Sequence, residues 1–411
     1  MALLILRVAA LWAMIASLPG SLAGFDAGAS NNVAIYWGQN SINRADGQQR
    51  LATYCANTPV NIIPLAFLHV IKNPTMVNFA NAGDNCTTFP GTQLLRCPQI
   101  EEDILACQSL NKSILLSIGG ATYTEGGFSS PSEATQWADT LWAMFGPASP
   151  SSAALRPFGS AAVDGFDMDF EATSANMAPF AAALRRHMDA APDGRKYLLS
   201  AAPQCPFPDH AMGEMLDAVG FDFVSVQFYN NYCGAPSYVP GAPAQNNFNF
   251  ARWDEWARAG SLKKGVKVLL GLPGSPTAAG TGYVSGEQLK KVVEYSRGFA
   301  SFGGVMVWDM SQVYGNPGFL NSIVEALGGK LPPPITTTTT TTSSTTTRVP
   351  TTLTTSTRTL TMATTTTSTT QPSGSLVPHW GQCGGNGYDG PTQCEPPYQC
   401  VPLGDWWSHC A

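Results

Sequence analysis

Three acidic residues alternate with apolar ones in the segment Asp164–Glu171, which reads DGFDMDFE. On a β-strand, Asp167, Asp169 and Glu171 would share one face, because side chains alternate along a strand. Like charges a few ångströms apart in a low-dielectric interior cannot all ionise, so at least one carboxyl group should keep its proton near neutral pH. Such a group can act as a general acid, and Glu171, the last of the three, is best placed to reach a substrate.

Eight short apolar runs predict the strands that would position these carboxylates. They are Val33–Trp37, Ile62–Val70, Ser113–Ile118, Val163–Phe170, Tyr197–Ala201, Phe221–Phe228, Val266–Leu270 and Gly304–Trp308. Runs this apolar are typical of parallel strands that are covered on both faces. Amphipathic stretches between them predict helices, such as Gln99–Ser109, Glu133–Phe145 and Gly286–Phe299. The fold class is therefore α/β, a (β/α)8 barrel whose carboxylates face the interior near the carboxyl ends of the strands.

Other interpretations compete with this one. An open doubly wound sheet is the second fold, but no Gly-x-Gly-x-x-Gly follows the first run. A solvated edge strand could also alternate acidic residues, but this run is the fourth of eight and its other face is strongly apolar. Three carboxylates could hold a hard cation, and the residue types alone leave that reading open. We favour the general acid, and we expect neither a metal nor a cofactor.

Composition divides the chain into four parts. Residues 1–23 form an apolar run that ends in Ser-Leu-Ala, which predicts a signal peptide. Residues 25–330 have the length of an α/β barrel domain. Residues 331–375 are so rich in Thr, Ser and Pro that they predict a disordered, O-glycosylated linker. Residues 376–411 form a small terminal module. We expect a secreted, extracellular glycoprotein that is monomeric.

The charge of the chain argues against some partners. The formal net charge is −6, and only 12% of the residues are charged. No cluster of Lys or Arg stands out, although binding to nucleic acid or to an anionic membrane would require one. A neutral polymer suits this surface better.

The ten cysteines fall into two groups, six between Cys55 and Cys233 and four from Cys383 onwards. Even numbers behind a signal peptide predict disulfides in two separate folding units. Metal binding is the weaker reading, because no Cys-x-x-Cys occurs and the five histidines do not cluster with the cysteines. The spacing alone leaves the pairing open.

The segment DGFDMDFE resembles the Asp-Gly-x-Asp-x-Asp-x-Glu signature of family-18 glycoside hydrolases, and the resemblance covers nearly all of residues 31–328. Five further segments are similar to class III chitinases, the hevamine-like enzymes of plants and fungi. They are Tyr36–Asn40, Ser117–Gly120, Ala201–Pro208, Val226–Asn231 and Gly303–Trp308. They lie at or just past the carboxyl ends of predicted strands, where a barrel builds its active site.

This resemblance implies a retaining mechanism in which the substrate supplies the nucleophile, its own 2-acetamido group. Glu171 would be the general acid and base. Asp169, sharing a proton with Asp167, would orient the acetamide, and Tyr229 would hydrogen-bond its carbonyl oxygen. The substrates would be chitin and chitin oligomers, since cellulose lacks the acetamide.

The same matching implies roles for other residues. Those that would line the cleft are Tyr36, Gln39, Gln227, Asn230 and Trp308. Without the resemblance, core packing is the more ordinary role for Trp308. The implied disulfides are Cys55–Cys107, Cys86–Cys97 and Cys205–Cys233.

Residues Trp380–Cys410 resemble the family-1 carbohydrate-binding module of fungal cellulases. The resemblance implies the disulfides Cys383–Cys400 and Cys394–Cys410, and a flat aromatic strip of Trp380, Trp406 and Trp407. Such rings would bury the apolar faces of sugars on crystalline chitin or cellulose. The tryptophans could instead form the core of a mini-domain, although so short a segment has little interior.

Two further functions compete with a tethered endo-acting chitinase. A barrel of this superfamily can be a lectin or an inhibitor without catalysis, but the acid that such proteins commonly replace is present here as Glu171. An enzyme that trims N-linked glycans or peptidoglycan could use the same residues, but the terminal module favours a solid polysaccharide.

Overall fold

The computed structural model describes residues 24–72, 74–329, 376–377, 382–384, 391–404 and 407–410. These residues divide into two compact units, one within Met1–Thr336 and the other within Thr337–Ala411. The predicted signal peptide, 1–23, and linker, 331–375, lie outside the described residues, so both stay predictions.

Eight parallel strands form the centre of the first unit. Their bounds are β1 Asn32–Ile35, β2 Ile62–Val70, β3 Ser113–Gly119, β4 Gly165–Asp169, β5 Leu198–Ala201, β6 Phe223–Gln227, β7 Lys267–Pro273 and β8 Phe302–Trp308. Each strand pairs with its neighbour in sequence, and β1 pairs with both β2 and β8. The sheet is therefore closed. The predicted (β/α)8 barrel is confirmed, and the open doubly wound sheet is wrong because β1 and β8 are not free edges.

Helices follow or join most of the strands. They are α1 Pro98–Ser109, α2 Pro131–Phe145, α3 Met177–Asp189, α4 Gly213–Ala218, α5 Phe250–Glu255, α6 Gly286–Arg297, α7 Met310–Tyr314 and α8 Phe319–Ala326. Short 3-10 helices span Leu51–Tyr54, Ala80–Asn85 and Ala235–Ser237, and a π-helical turn, Trp256–Gly260, continues α5.

The three helices named from the sequence are confirmed, with small differences at their ends. Helix α2 begins before the predicted Glu133 because Ser130 caps it, its hydroxyl accepting a hydrogen bond from the Glu133 amide. Pro131 then occupies the first turn, where the amide hydrogen that proline lacks is not needed.

A hairpin-rich loop follows β2. The short strand Met76–Val77 pairs antiparallel with β2, and a second hairpin joins Thr87–Thr88 to Leu95–Arg96. These strands hold the loop against the barrel beside the ends of β1 and β2.

The sheet separates two apolar layers. The outer layer lies between strands and helices and includes Phe166, Met168 and Phe170 of the acidic segment, all essentially inaccessible to solvent. The inner layer fills the barrel with side chains such as Leu115, Phe223 and Met306. The alternation predicted for Asp164–Glu171 is therefore confirmed.

The start of β4 is fixed by the first two residues of the acidic segment. The Asp164 carboxylate accepts hydrogen bonds from the Ile114 amide at 2.8 Å and the Gln108 side chain at 3.0 Å, and it pairs with Arg195. Gly165 lies against β5 so closely that a Cβ would collide with the Leu198 carbonyl oxygen. These contacts set the register that carries the later carboxylates inward.

Three disulfides staple the barrel unit, Cys55–Cys107, Cys86–Cys97 and Cys205–Cys233. All three pairings implied by the resemblance are confirmed. Cys55–Cys107 joins the segment before β2 to α1, and Cys205–Cys233 joins the loops that follow β5 and β6.

The second unit contains three short antiparallel strands, Gln382–Gly384, Cys400–Gly404 and Trp407–Cys410. The implied disulfides Cys383–Cys400 and Cys394–Cys410 are confirmed, and three of these cysteines, Cys383, Cys394 and Cys410, lie in a small core with Val377. Trp380 and Trp406 lie outside the described residues, as does the side chain of Trp407, so the aromatic strip stays a prediction.

Within the part of the chain that the structure describes, no helix is long and apolar enough to cross a membrane.

Candidate active site

A cavity of about 210 Å³ opens at the carboxyl ends of the barrel strands. Its walls are Tyr36, Gln39, Phe67, Ala121, Thr122, Asp169, Glu171, Gln227, Tyr229, Asn230, Ala278 and Trp308. Eight of the nine residues proposed from sequence for catalysis or substrate binding therefore line one cavity. The ninth, Asp167, lies below it in the barrel.

Asp167 is buried among three hydroxyl groups. Its Oδ2 accepts hydrogen bonds from the Tyr36 phenol and from Ser117 Oγ, both at 2.7 Å, and its Oδ1 accepts one from Ser200 Oγ at 2.6 Å. Burial raises the pKa of Asp167, while these donors oppose the rise because they stabilise the charged form.

Asp169 lies one layer nearer the cavity. Its Oδ1 accepts a hydrogen bond from Gln227 Nε2 at 3.0 Å, and the same amide nitrogen donates to the Ala202 carbonyl oxygen. Burial, followed by the nearby charges of Glu171 and Asp167, holds the pKa of Asp169 well above its ordinary value. This carboxyl therefore competes with Glu171 for a proton.

Glu171 follows β4 and reaches the rim of the cavity. Part of its side chain is exposed, yet burial of the carboxyl end raises its pKa above the ordinary glutamate value. A carboxyl group that is accessible to substrate and keeps its proton to higher pH has the two properties that a general acid needs.

Tyr229 faces the two carboxyl groups from β6. Its ring is buried, and burial followed by the Asp169 and Glu171 charges keeps its pKa well above the ordinary tyrosine value. The phenol therefore stays protonated and can donate a hydrogen bond. Gly282, with a φ of +112°, lets the loop after β7 pass against Tyr229, where a Cβ would collide.

Asn230 fixes the same loop from the other side. Its Oδ1 accepts a hydrogen bond from the Thr281 amide at 3.1 Å, and its backbone φ is +57°. The residue both lines the cavity and holds the segment that supports Tyr229.

Aromatic rings form the floor. Trp308 stacks on Phe67 with ring centroids 5.7 Å apart and planes 19° from parallel, and the Tyr36 ring lies 5.5 Å from Trp308. Trp308 is only partly buried and borders the cavity, so it is not a pure core residue. A flat indole face of this kind can pack against the apolar face of a sugar ring.

The side chain of Gln39 is turned towards the protein backbone. Its Nε2 donates to the Ala66 carbonyl oxygen at 2.8 Å and to the Asn78 carbonyl oxygen at 3.0 Å. Its Oε1 is the atom through which it could accept a hydrogen bond from a bound hydroxyl.

A larger cavity, about 1090 Å³, lies at the opposite end of the barrel. Most of its charged residues form ion pairs: Asp164 pairs with Arg195, and Asp222 pairs with both Arg185 and Lys263. Barrel enzymes use the carboxyl ends of the strands for chemistry, so we assign this charged network to stability.

Comparison with known proteins agrees with this geometry. Residues 32–288 match the family described as glycosyl hydrolases family 18. A protein named Endochitinase 33 from Trichoderma harzianum is 52% identical over 319 residues, which cover 77% of this chain and 98% of that protein. The chain belongs to glycosyl hydrolase family 18.

One further relative in sequence and one solved structure are also similar to this family-18 chain. A protein named Class III chitinase from Arthroderma benhamiae is 47% identical over 77% of this chain and 91% of its own length. The crystal structure of a xylanase and alpha-amylase inhibitor protein from Scadoxus multiflorus is 28% identical, has a TM-score of 0.57 and covers 73% of this chain and 99% of its own. Residues 379–407 match the fungal cellulose binding domain.

Several residues of the family-18 site were missed from the sequence. Phe67, Ala121, Thr122 and Ala278 line the cavity, and Ser200 holds Asp167. Phe67 lies in the continuous apolar run of β2, where no alternation marks an inward face. The Ser117–Gly120 motif gave a signal for the loop that carries Ala121 and Thr122, whereas small residues such as Ala278 gave none.

Proposed function

We propose that this family-18 chain is a secreted, endo-acting chitinase that cleaves β-1,4 linkages between N-acetylglucosamine units. The observation that carries the proposal is the arrangement of Glu171, Asp169 and Tyr229 around one cavity with an aromatic floor. The names of the two fungal relatives, an endochitinase and a class III chitinase, support the substrate. The predicted signal peptide and the five disulfides support secretion.

In the first step, Glu171 donates its proton to the glycosidic oxygen. The bond from that oxygen to the anomeric carbon breaks, and the electron pair leaves with the departing sugar. The carbonyl oxygen of the substrate's own 2-acetamido group forms the new bond to the anomeric carbon, giving an oxazolinium ion. No protein nucleophile is required, which is the known exception to the two-carboxylate scheme.

Asp169 and Tyr229 act on the acetamide. The Asp169 carboxylate, oriented by Gln227, accepts a hydrogen bond from the acetamide N–H. It also stabilises the positive charge that develops on the oxazolinium ion. The protonated Tyr229 phenol donates to the attacking carbonyl oxygen and holds it at the anomeric carbon. Asp167, which lies deeper in the barrel, shares a proton with Asp169 and so stabilises the negative charge of the Asp169 carboxylate.

In the second step, Glu171 is a carboxylate and takes a proton from water. The water oxygen attacks the anomeric carbon, the acetamide leaves, and Glu171 is protonated again. Two inversions at one carbon give retention, so the first product is the β anomer. A polymer without the acetamide, such as cellulose, lacks the nucleophile.

A second candidate is a non-catalytic lectin or inhibitor. The likeness to the inhibitor protein from Scadoxus multiflorus favours it, because the same barrel there carries the name of an inhibitor. A protein of that kind would bind chitin or an enzyme without turnover.

The terminal module is proposed to hold the enzyme on crystalline chitin or cellulose. Its support is the match of residues 379–407 to the fungal cellulose binding domain. Trp380, Trp406 and Trp407 are the residues we propose for the contact.

The test is Glu171→Gln in the full chain, which keeps the size of the side chain but removes the proton donor. We expect the variant to bind colloidal chitin as the wild type does and to lose hydrolysis by about 10²–10⁴-fold, the usual contribution of general acid–base catalysis. Release of soluble sugars from colloidal chitin, cellulose and bacterial cell wall measures both activity and substrate.

A control and a second readout make the test specific. Glu214→Gln changes an acidic residue of α4, outside the cavity, and should leave turnover unchanged. NMR during the first turnovers of a chitin oligomer should show the β anomer first. Wild-type binding without turnover would favour the inhibitor candidate, and normal turnover by Glu171→Gln would refute the role of Glu171.

A further inference from the structure

Tyr232 is an exposed aromatic residue two positions after Asn230, which lines the catalytic cavity. It follows β6 in the chain, three residues after Tyr229, and its surface is 65% exposed. Single exposed apolar residues are common and need no explanation by themselves. The backbone that carries Tyr232, however, is held by a disulfide on one side and by a hydrogen bond on the other.

The backbone on both sides of Tyr232 is anchored. The next residue, Cys233, forms the disulfide with Cys205 in the loop after β5. On the other side, Asn231 Nδ2 donates to Gln204 Oε1 at 2.9 Å. The Ala235 amide then donates to the Phe228 carbonyl oxygen at 2.7 Å, which closes the turn. The loops after β5 and β6 are thus linked, and the exposed Tyr232 belongs to the segment where they are linked.

The walls of the cavity show which side is open. Seven of the eight strands, or the loops that follow them, contribute wall residues. Trp308, Tyr36 and Phe67 come from the β8, β1 and β2 sides, and the remaining walls come from β4, β6 and the loops after β3 and β7. Among the described residues, none from β5 or its loop lines the cavity. The cavity is therefore open towards the end of β5, and the turn that carries Tyr232 is joined to the loop after β5 by the Cys205–Cys233 disulfide. We expect the sugar beyond the bond that Glu171 protonates to lie on this side.

We propose that Tyr232 is a binding platform for the leaving side of the substrate, where its ring packs against the apolar face of an N-acetylglucosamine unit. A rigid exposed ring suits this use because little conformational entropy is lost when a sugar stacks on it. The same platform would receive an acceptor sugar whose hydroxyl oxygen attacks the anomeric carbon of the oxazolinium ion in place of water. The bond from that carbon to the acetamide oxygen breaks, and the hydroxyl proton passes to the Glu171 carboxylate. This inference rests on the proposed chitinase activity.

The test compares Tyr232→Ala with Tyr232→Phe in the full chain. The alanine variant should lower kcat/KM for chitohexaose by about tenfold, the size of one aromatic contact. It should also lower the ratio of transfer products to hydrolysis products at high oligomer concentration. Because that ratio compares two fates of one intermediate, it does not depend on how much of the variant is folded. Tyr232→Phe keeps the ring and should behave as the wild type does.

The matched control is Leu262→Ala, which removes an exposed apolar side chain, 62% accessible, before β7 at the other end of the barrel. It should change neither quantity. Wild-type values of both quantities in Tyr232→Ala, or an equal loss in Tyr232→Phe, would overturn the platform. Failure of the wild-type protein to cleave chitin oligomers would instead overturn the proposed function, so the two results are distinguishable.

Discussion

Asp167 shows how single residues adjust the chemistry of this site. The carboxyl group is deep in the barrel, where burial favours its neutral form, yet three hydroxyl groups donate to it and favour its charged form. The balance decides how much negative charge lies beneath Asp169. We therefore expect Ser200, which has no role of its own in the proposed chemistry, to help set the pH range of activity.

Ser200→Ala removes one of these donors, and the pKa of Asp167 should rise because its charged form loses a hydrogen bond. Asp167 would then take up a proton at higher pH, so we expect the acidic limb of the kcat/KM profile to move to higher pH. A profile measured with a chitin oligomer checks this. Ser296→Ala serves as the control, since that buried serine of α6 donates to the Val292 carbonyl oxygen far from the site. An unmoved acidic limb in Ser200→Ala would contradict the interpretation.

At the scale of the element, contacts at the start of β4 fix the position of the strand, and the carboxylates that follow lie towards its other end. Asp164 is bound by Ile114 of β3, by Gln108 of α1 and by Arg195, while Gly165 lets β4 and β5 approach closely. The first two residues of the acidic motif are thus structural, and the last three carboxylates lie inside the barrel or at its rim. One strand supplies both functions because its two ends lie at opposite faces of the barrel.

Gly165→Ala should destabilise the barrel by about 1–3 kcal/mol, the usual cost of forcing extra volume into a packed site. The added Cβ meets backbone, which cannot rotate away as a side chain can. The midpoint of denaturant unfolding, followed by tryptophan fluorescence, measures the effect. Gly213→Ala is the control, because a Cβ there comes only within 3.5 Å of Pro208 Cβ and alanine favours a helix. Equal midpoints for Gly165→Ala and the wild type would show that β4 and β5 can separate without cost.

At the scale of the whole molecule, the chain contains two units, and each is cross-linked by its own disulfides. The barrel unit has three disulfides and the terminal unit has two. A unit as small as the second has too little apolar interior to fold without such cross-links. The division fits an enzyme whose catalysis and attachment are separate tasks.

Deletion of residues 376–411 should leave kcat/KM on soluble chitin oligomers unchanged and weaken adsorption to crystalline chitin and cellulose. The reason is that the catalytic cavity is built entirely from the first unit. Depletion of protein from the supernatant measures adsorption. The triple variant Trp380→Ala, Trp406→Ala and Trp407→Ala should reproduce the loss in the full chain. Adsorption equal to the wild type after the deletion would exclude the tether.

The sequence by itself determined the barrel and the central carboxylates. Eight apolar runs with helices between them predict the closed parallel sheet, and the alternation in Asp164–Glu171 gives the inward face. Both signals are local, since strand period and helix period are written in consecutive residues. The motif segments then located Tyr36, Gln227, Tyr229 and Trp308 near the same rim.

Only the tertiary structure decided which groups meet around those carboxylates. Ser117 and Ser200 reach Asp167 from β3 and β5, Phe67 joins Trp308 from β2, and Gln204 holds Asn231 in the turn before Tyr232. These partners are far apart in the chain and ordinary in type, so no local pattern distinguishes them from core residues. Closure of the barrel brings them together, because each strand's carboxyl end must lie on the same rim.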